Sequence, residues 1–109
     1  MIAYLNGIVF GKFQKNIILR VDNTGYEVFL TKPMLEKIKE QDKLELFIYT
    51  HVREDALTLF GFSKIEELKF FRQLINVPGI GPKLAVDLLT LPMEKIKAGI
   101  IKELILRLN

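Results

Sequence analysis

Asn16 to Thr31 reads NIILRVDNTGYEVFLT. Ile17, Leu19 and Val21 fall on alternate positions, so an extended backbone sends all three to one face. Asp22, Asn23, Thr24 and Gly25 follow, all residue types that accept a tight turn, and the apolar pattern resumes over Tyr26 to Thr31. The stretch is a β-hairpin, and the chain around it follows the same punctuation. Upstream, Met1 to Phe10 forms an earlier strand. Downstream, Pro33 to Gln41 is polar with Leu35 and Ile38 three apart, which predicts a short helix or turn. Lys43 to Arg53 then alternates, with Leu44, Leu46 and Ile48 on one side and Phe47 and Tyr49 on the other. Leu57 to Phe62 follows after Glu54 and Asp55. Five short strands with one helical interruption predict a small closed barrel of the OB type over residues 1–62.

The period changes at Ser63. Ser63 and Glu66 have the spacing of a capping box, and Ile65, Leu68, Phe71, Leu74 and Ile75 recur at helical intervals until Pro78 stops the run. Pro82 is well placed to open a second helix, Lys83 to Thr90, with Leu84 and Leu88 on one face. Pro92 breaks that run. Met93 to Asn109 reads as one or two further helical stretches jointed at Gly99, with Ile101, Leu104, Ile105 and Leu108 on an apolar face. The fold class is therefore α+β, a barrel followed directly by a small helical domain over residues 63–109.

Composition narrows the chemistry. With no Cys and one His, the chain has neither a disulfide framework nor a His or thiolate metal cluster, and no metal or other cofactor is expected. Charged residues interrupt every apolar run before it is long enough to cross a bilayer, and no leader-like segment opens the chain, so no membrane partner is expected and the default location is the cytoplasm. Sixteen basic residues against thirteen acidic ones give a net charge of +3, a lean towards polyanions that decides little alone. No Walker loop is present, so ATP hydrolysis is not expected of the chain. His51, at a strand end, and the rings of Phe47, Tyr49, Phe70 and Phe71 read as packing rather than ligands or stacking platforms.

The turn Val77 Pro78 Gly79 Ile80 Gly81 Pro82 Lys83 carries the functional signal. Gly79 and Gly81 accept positive φ and have no Cβ, so a duplex backbone can come close to the main chain. Ile80 is an apolar wedge suited to the gap between the two helices. Pro82 has no N–H, which leaves Gly79, Gly81 and Lys83 as the donors to a phosphate, with the Lys83 ammonium adding charge. Lys64, Lys69 and Arg72 on the preceding helix would widen a basic face. Contacts of this kind hold register and read no sequence. A plain Gly/Pro turn between antiparallel helices has the same composition.

The opening Met1 Ile2 with Leu5 Asn6 Gly7, then Gly25 Tyr26 Glu27 Val28, Thr50 to Ala56, Leu59 Phe60 Gly61 Phe62, and Leu74 Ile75 through Gly79 to Ala85 occur in an order that resembles the RuvA family, bacterial subunits that bind Holliday junctions. The resemblance runs over roughly residues 1–91. It implies an OB-fold barrel, helix-hairpin-helix units, and a homotetramer that holds four-way junction DNA open on a basic face for a RuvB-type ATPase motor. It also implies a role for Glu54 and Asp55, which by residue type are only a solvated turn: an acidic pin whose charge repels phosphates as strands separate.

The same resemblance implies a second glycine hairpin, a linker and a motor-binding helical domain beyond Asn109, so the chain reads as a fragment or a degenerate relative in which motor contact is in doubt. Two readings compete with junction binding. One is a helix-hairpin-helix repair enzyme of glycosylase or nuclease type, for which Asp87, inside the second helix, is the only nearby carboxylate. The other is a purely structural oligomerisation domain.

Overall fold

The computed structural model describes residues 1–89. The elements in chain order are β1 (Tyr4–Lys12), β2 (Asn16–Val21), β3 (Thr24–Leu30), α1 (Lys32–Lys37), β4 (Lys43–Val52), β5 (Leu57–Phe62), α2 (Ile65–Ile75) and α3 (Pro82–Leu88). The five strands close into a barrel in the order β1-β2-β3-β5-β4. Helix α1 carries the chain from the end of β3 to β4, which pairs antiparallel with β1; β5 then returns along β4 and seals the barrel by pairing parallel with β3.

Strand β1 serves two neighbours. Tyr4 to Ile8 pair with β4 and Ile8 to Lys12 with β2, and a register shift between Val9 and Gly11 gives the bend this requires. Phe10 is the extra residue at that bulge and turns to solvent, where the Arg20 guanidinium lies 5.5 Å from its ring centroid. Gly7 allows the strands to cross closely, since a Cβ there would sit 2.3 Å from the Arg20 carbonyl oxygen.

Alternation in the strands builds two cores. Val9, Ile17, Leu19, Val28, Leu46, Ile48 and Leu59 point into the barrel, with Leu35 and Ile38 across its end. Phe60 and Phe62 point out, and with Phe29, Phe47 and Tyr49 they form an aromatic wall that receives Leu68, Phe71 and Leu74 of α2, and Ala85, Val86 and Leu89 from α3 and its C-cap. Phe71 is fully buried, its ring centroid 5.2 Å from Tyr49, 5.7 Å from Phe60 and 4.9 Å from Phe62.

Several details depart from the sequence reading. Strand β1 begins at Tyr4 rather than Met1 and runs on to Lys12 because β2 continues to pair with it. The first hairpin turns on Asp22 and Asn23 alone, with Asp22 at φ 54°, while Thr24 and Gly25 already pair with Val21 and Arg20. Helix α1 ends at Lys37, and β4 at Val52. The capping box does not form: Lys64 is the N-cap residue of α2, and the Ser63 hydroxyl donates to Glu67 Oε1 at 2.8 Å, one residue beyond its expected partner Glu66. Ile65 is largely exposed, because the wall meets α2 only from Leu68 onward. In α3 the buried face is Ala85, Val86 and Leu89, whereas Leu84 is exposed and Leu88 half-buried. The helical stretches expected over Met93 to Asn109 lie outside the described residues.

Phe71 touches three rings at once, so its truncation leaves a cavity that the rigid barrel wall cannot fill. Phe71→Ala is expected to cost about 3–5 kcal/mol of unfolding free energy, read from the urea midpoint. A loss below about 1 kcal/mol would mean that the helices do not depend on the wall.

Candidate nucleic-acid interface

The chain leaves α2 through a turn that its residues specify one by one. The Ile80 N–H donates to the Val77 carbonyl at 3.0 Å, closing a four-residue turn with Pro78 and Gly79 at its centre. Pro at the second position and a residue of positive φ at the third define a type II turn, and Gly79 has φ 89°. The turn is anchored from below, since the Ile80 side chain is buried against both helices and is 4% exposed. Ile80 is thus the wedge its position suggested, and it positions the turn from inside without facing solvent.

Gly81 is different from Gly79. It is the N-cap residue of α3 at φ −87°, ψ 174°, a conformation open to any residue, and a Cβ on it would meet no atom within 4 Å. Both glycines accept positive φ, and Gly79 alone uses it. Nothing in the fold of the described residues requires Gly81, and the space in front of it is open.

Pro78, Gly79, Gly81 and Lys83 are all exposed. The Ile80 N–H is committed inside the turn, while the N–H groups of Gly79, Gly81 and Lys83 enter none of the turn and cap bonds. Helix α3 has seven residues, barely two turns, so its dipole is small and the Lys83 ammonium is the main charge at this end. Hydrogen-bond donors around an open glycine, with one cation, can hold a single phosphate oxygen pair.

Lys69 and Arg72 are exposed and three apart on α2, hence on one face. Lys64 stands apart from them, lining a cleft that also holds Glu66 and Glu67. Glu54 and Asp55 form the tip of the β4–β5 hairpin, closed by Val52 pairing with Leu57 and by the Arg53 N–H donating to the Ala56 carbonyl at 2.8 Å. Both carboxylates are exposed, and the hairpin also exposes Val52 and Leu57. His51 is half-buried and its ring stacks on Tyr49, in keeping with a packing role. Tyr4, on β1, donates to Glu45 Oε2 at 2.8 Å, and that bond holds its hydroxyl proton above the usual tyrosine range.

Two residues near the turn gave no sequence signal. Lys15, in the β1–β2 loop, and Lys32, at the start of α1, line one groove with Lys83. Pairing of β2 with β3 sets Lys15 near Lys32, and packing of α3 on the wall of β3 and β5 brings Lys83 to them. Among the described residues no cluster of three His, Cys, Asp or Glu side chains is placed to hold a metal ion, and no helix is long and apolar enough to cross a membrane.

Residues 1–61 match the family described as RuvA N terminal domain. The chain is 42% identical over 105 residues to a protein of Halothermothrix orenii, an alignment that covers 94% of this chain and 53% of that protein. It is 39% identical over 111 aligned residues to one of Geobacter metallireducens, covering 100% and 56%. For one of Bartonella bacilliformis the identity is 44% over 102 residues, covering 92% and 47%. All three are named Holliday junction branch migration complex subunit RuvA, and the chain spans about half their length.

The two glycines of the turn should separate in a stability measurement. Gly79→Ala forces a Cβ into left-handed backbone and is expected to cost about 1–2 kcal/mol. Gly81→Ala is expected to change stability by no more than about 0.5 kcal/mol, as at an unconstrained surface site. Equal losses in thermal or urea unfolding would refute the distinction.

Proposed function

The chain belongs to the RuvA family, and from that premise we propose that it binds four-way junction DNA as a non-catalytic, structure-selective module of a branch-migration system. The observation that carries this reading is the turn at Gly79 to Lys83. Its left-handed Gly79 and buried Ile80 hold the backbone fixed, and Gly81 is a glycine that the fold itself does not need. An open glycine among unspent N–H donors and a lysine is what close approach by a phosphate calls for. The printed names of the relatives, all Holliday junction complex subunits, support a junction as the DNA in question.

Within this proposal Gly79, Gly81 and Lys83 hold one phosphate, Ile80 sets their geometry from below, and Lys69 and Arg72, with Lys64 more weakly, widen the basic face. Glu54 and Asp55 act as the acidic pin, two carboxylates that make backbone approach costly and so steer strands apart. Each chain supplies few phosphate contacts, so junction affinity depends on several copies acting together, a homotetramer in the family pattern. A RuvB-type motor supplies the ATP-driven step, and the complex works in the cytoplasm. Within this system the residues of this chain contribute binding and positioning.

Gel-shift titration of a synthetic four-way junction against a duplex of equal length tests the reading, and equal affinity for the two would sink it. Binding should weaken steeply with salt, and Lys83→Gln should flatten the slope of log K against log salt by about 0.9 for each chain bound, the share of one phosphate contact per copy. Gly81→Leu, which the fold accommodates, should reduce junction affinity by about ten- to a hundredfold, the equivalent of losing a hydrogen bond to a charged group, roughly 1.5–3 kcal/mol. Replacing Glu54 and Asp55 by Gln and Asn should tighten junction binding on the order of fivefold, close to the ~1 kcal/mol between unit charges 4 Å apart in water. Weaker or unchanged binding would remove the pin.

A further inference from the structure

A groove of about 340 Å³ runs between the barrel and α3, beside the turn. Its floor includes Phe29 and Phe60, and its rim carries Lys15, Lys32 and Lys83 with a single carboxylate, Asp87. Backbone geometry fixes the two barrel lysines in place. The Leu30 N–H donates to the Lys15 carbonyl at 3.2 Å, which ties the β1–β2 loop to the end of β3. The buried Thr31 then leads straight into α1, so Lys32 opens that helix next to the same bond.

We infer that this groove is a second phosphate-contact site for DNA, occupied by the backbone of the duplex arm that the turn holds; the inference rests on the proposed function. Three lysines against one carboxylate leave the lining of the groove net positive, which attracts an anion. Lys83 belongs to both the turn and the groove, so the two cationic surfaces are continuous, and a polyanion spans them where a small anion would not. The apolar floor under the lysines excludes water on one side and strengthens their pull on a phosphate. Phe60 is 2% exposed, too buried to serve as a stacking platform, and an apolar floor offers no donors to base edges. The contact is therefore with the sugar-phosphate backbone and carries no sequence preference.

The test compares the salt dependence of four-way junction binding for the unaltered chain, for Lys15→Gln/Lys32→Gln, and for Lys39→Gln/Lys43→Gln. The last pair makes the same charge change at exposed positions outside the groove. Neutralising two phosphate contacts in each chain should flatten the slope of log K against log salt by about 1.8 for each chain bound in the groove variant. The control variant should keep the unaltered slope. An unchanged slope in the groove variant, or an equal fall in both variants, overturns the inference while junction binding by the unaltered chain still stands. Acceptance of an acidic peptide by the groove with no change in DNA binding overturns it in favour of a protein partner. If the unaltered chain binds neither junction nor duplex, the underlying reading and this inference fall together.

Discussion

Phe71 sits where the tertiary structure is decided. A barrel of five short strands fills its own interior with aliphatic side chains, and in most such barrels the outer face is left to water. Here β5 sends Phe60 and Phe62 outward, β3 adds Phe29, and β4 adds Phe47 and Tyr49. An exposed aromatic patch of that size is unfavourable in water and has to be covered. Helix α2 covers it with Leu68, Phe71 and Leu74, and the Phe71 ring lies in tilted and edge contacts with three rings of the wall. The orientation of α2 on the barrel follows from that packing.

The turn inherits its rigidity from the same source. Ile80 belongs to the core that Phe71 anchors, so the residues on either side of it are held by a buried side chain as well as by the bond from Ile80 to Val77. A recognition turn held from below offers its donors at little further entropic cost, since the backbone is ordered before any ligand arrives. Gly79 and Gly81 divide the work: one permits the turn to form, and the other leaves room in front of it.

Much of this was legible in the sequence because it rests on local chemistry. Strands β2 and β5 appear at the residues their alternation indicated, and Pro78 with Gly79 specified a turn whose type the coordinates then fixed. What was not legible depends on neighbours distant in the chain. Strand β1 extends to Lys12 because β2 continues to pair with it, and Ser63 loses its capping role because Glu67 is the carboxylate within reach. Leu84 looked like a core residue by spacing, yet the wall meets α3 from the side of Ala85 and Val86. The grouping of Lys83 with Lys15 and Lys32 depends on how α3 packs on the wall, which no spacing rule encodes.

Closure of the barrel also limits how the molecule can meet another protein. Each of the five strands has a hydrogen-bonded neighbour on both sides, the last seam being the parallel pairing of β3 with β5. An open sheet offers a row of unused amide and carbonyl groups onto which a further strand can zip, and closure withdraws that row wherever the ladders run. Copies of the barrel can associate side chain against side chain, through outward residues such as Phe10, Phe13, Val52 and Leu57. An interface of that kind is set by shape and can be altered one residue at a time, without disturbing the ladder behind it.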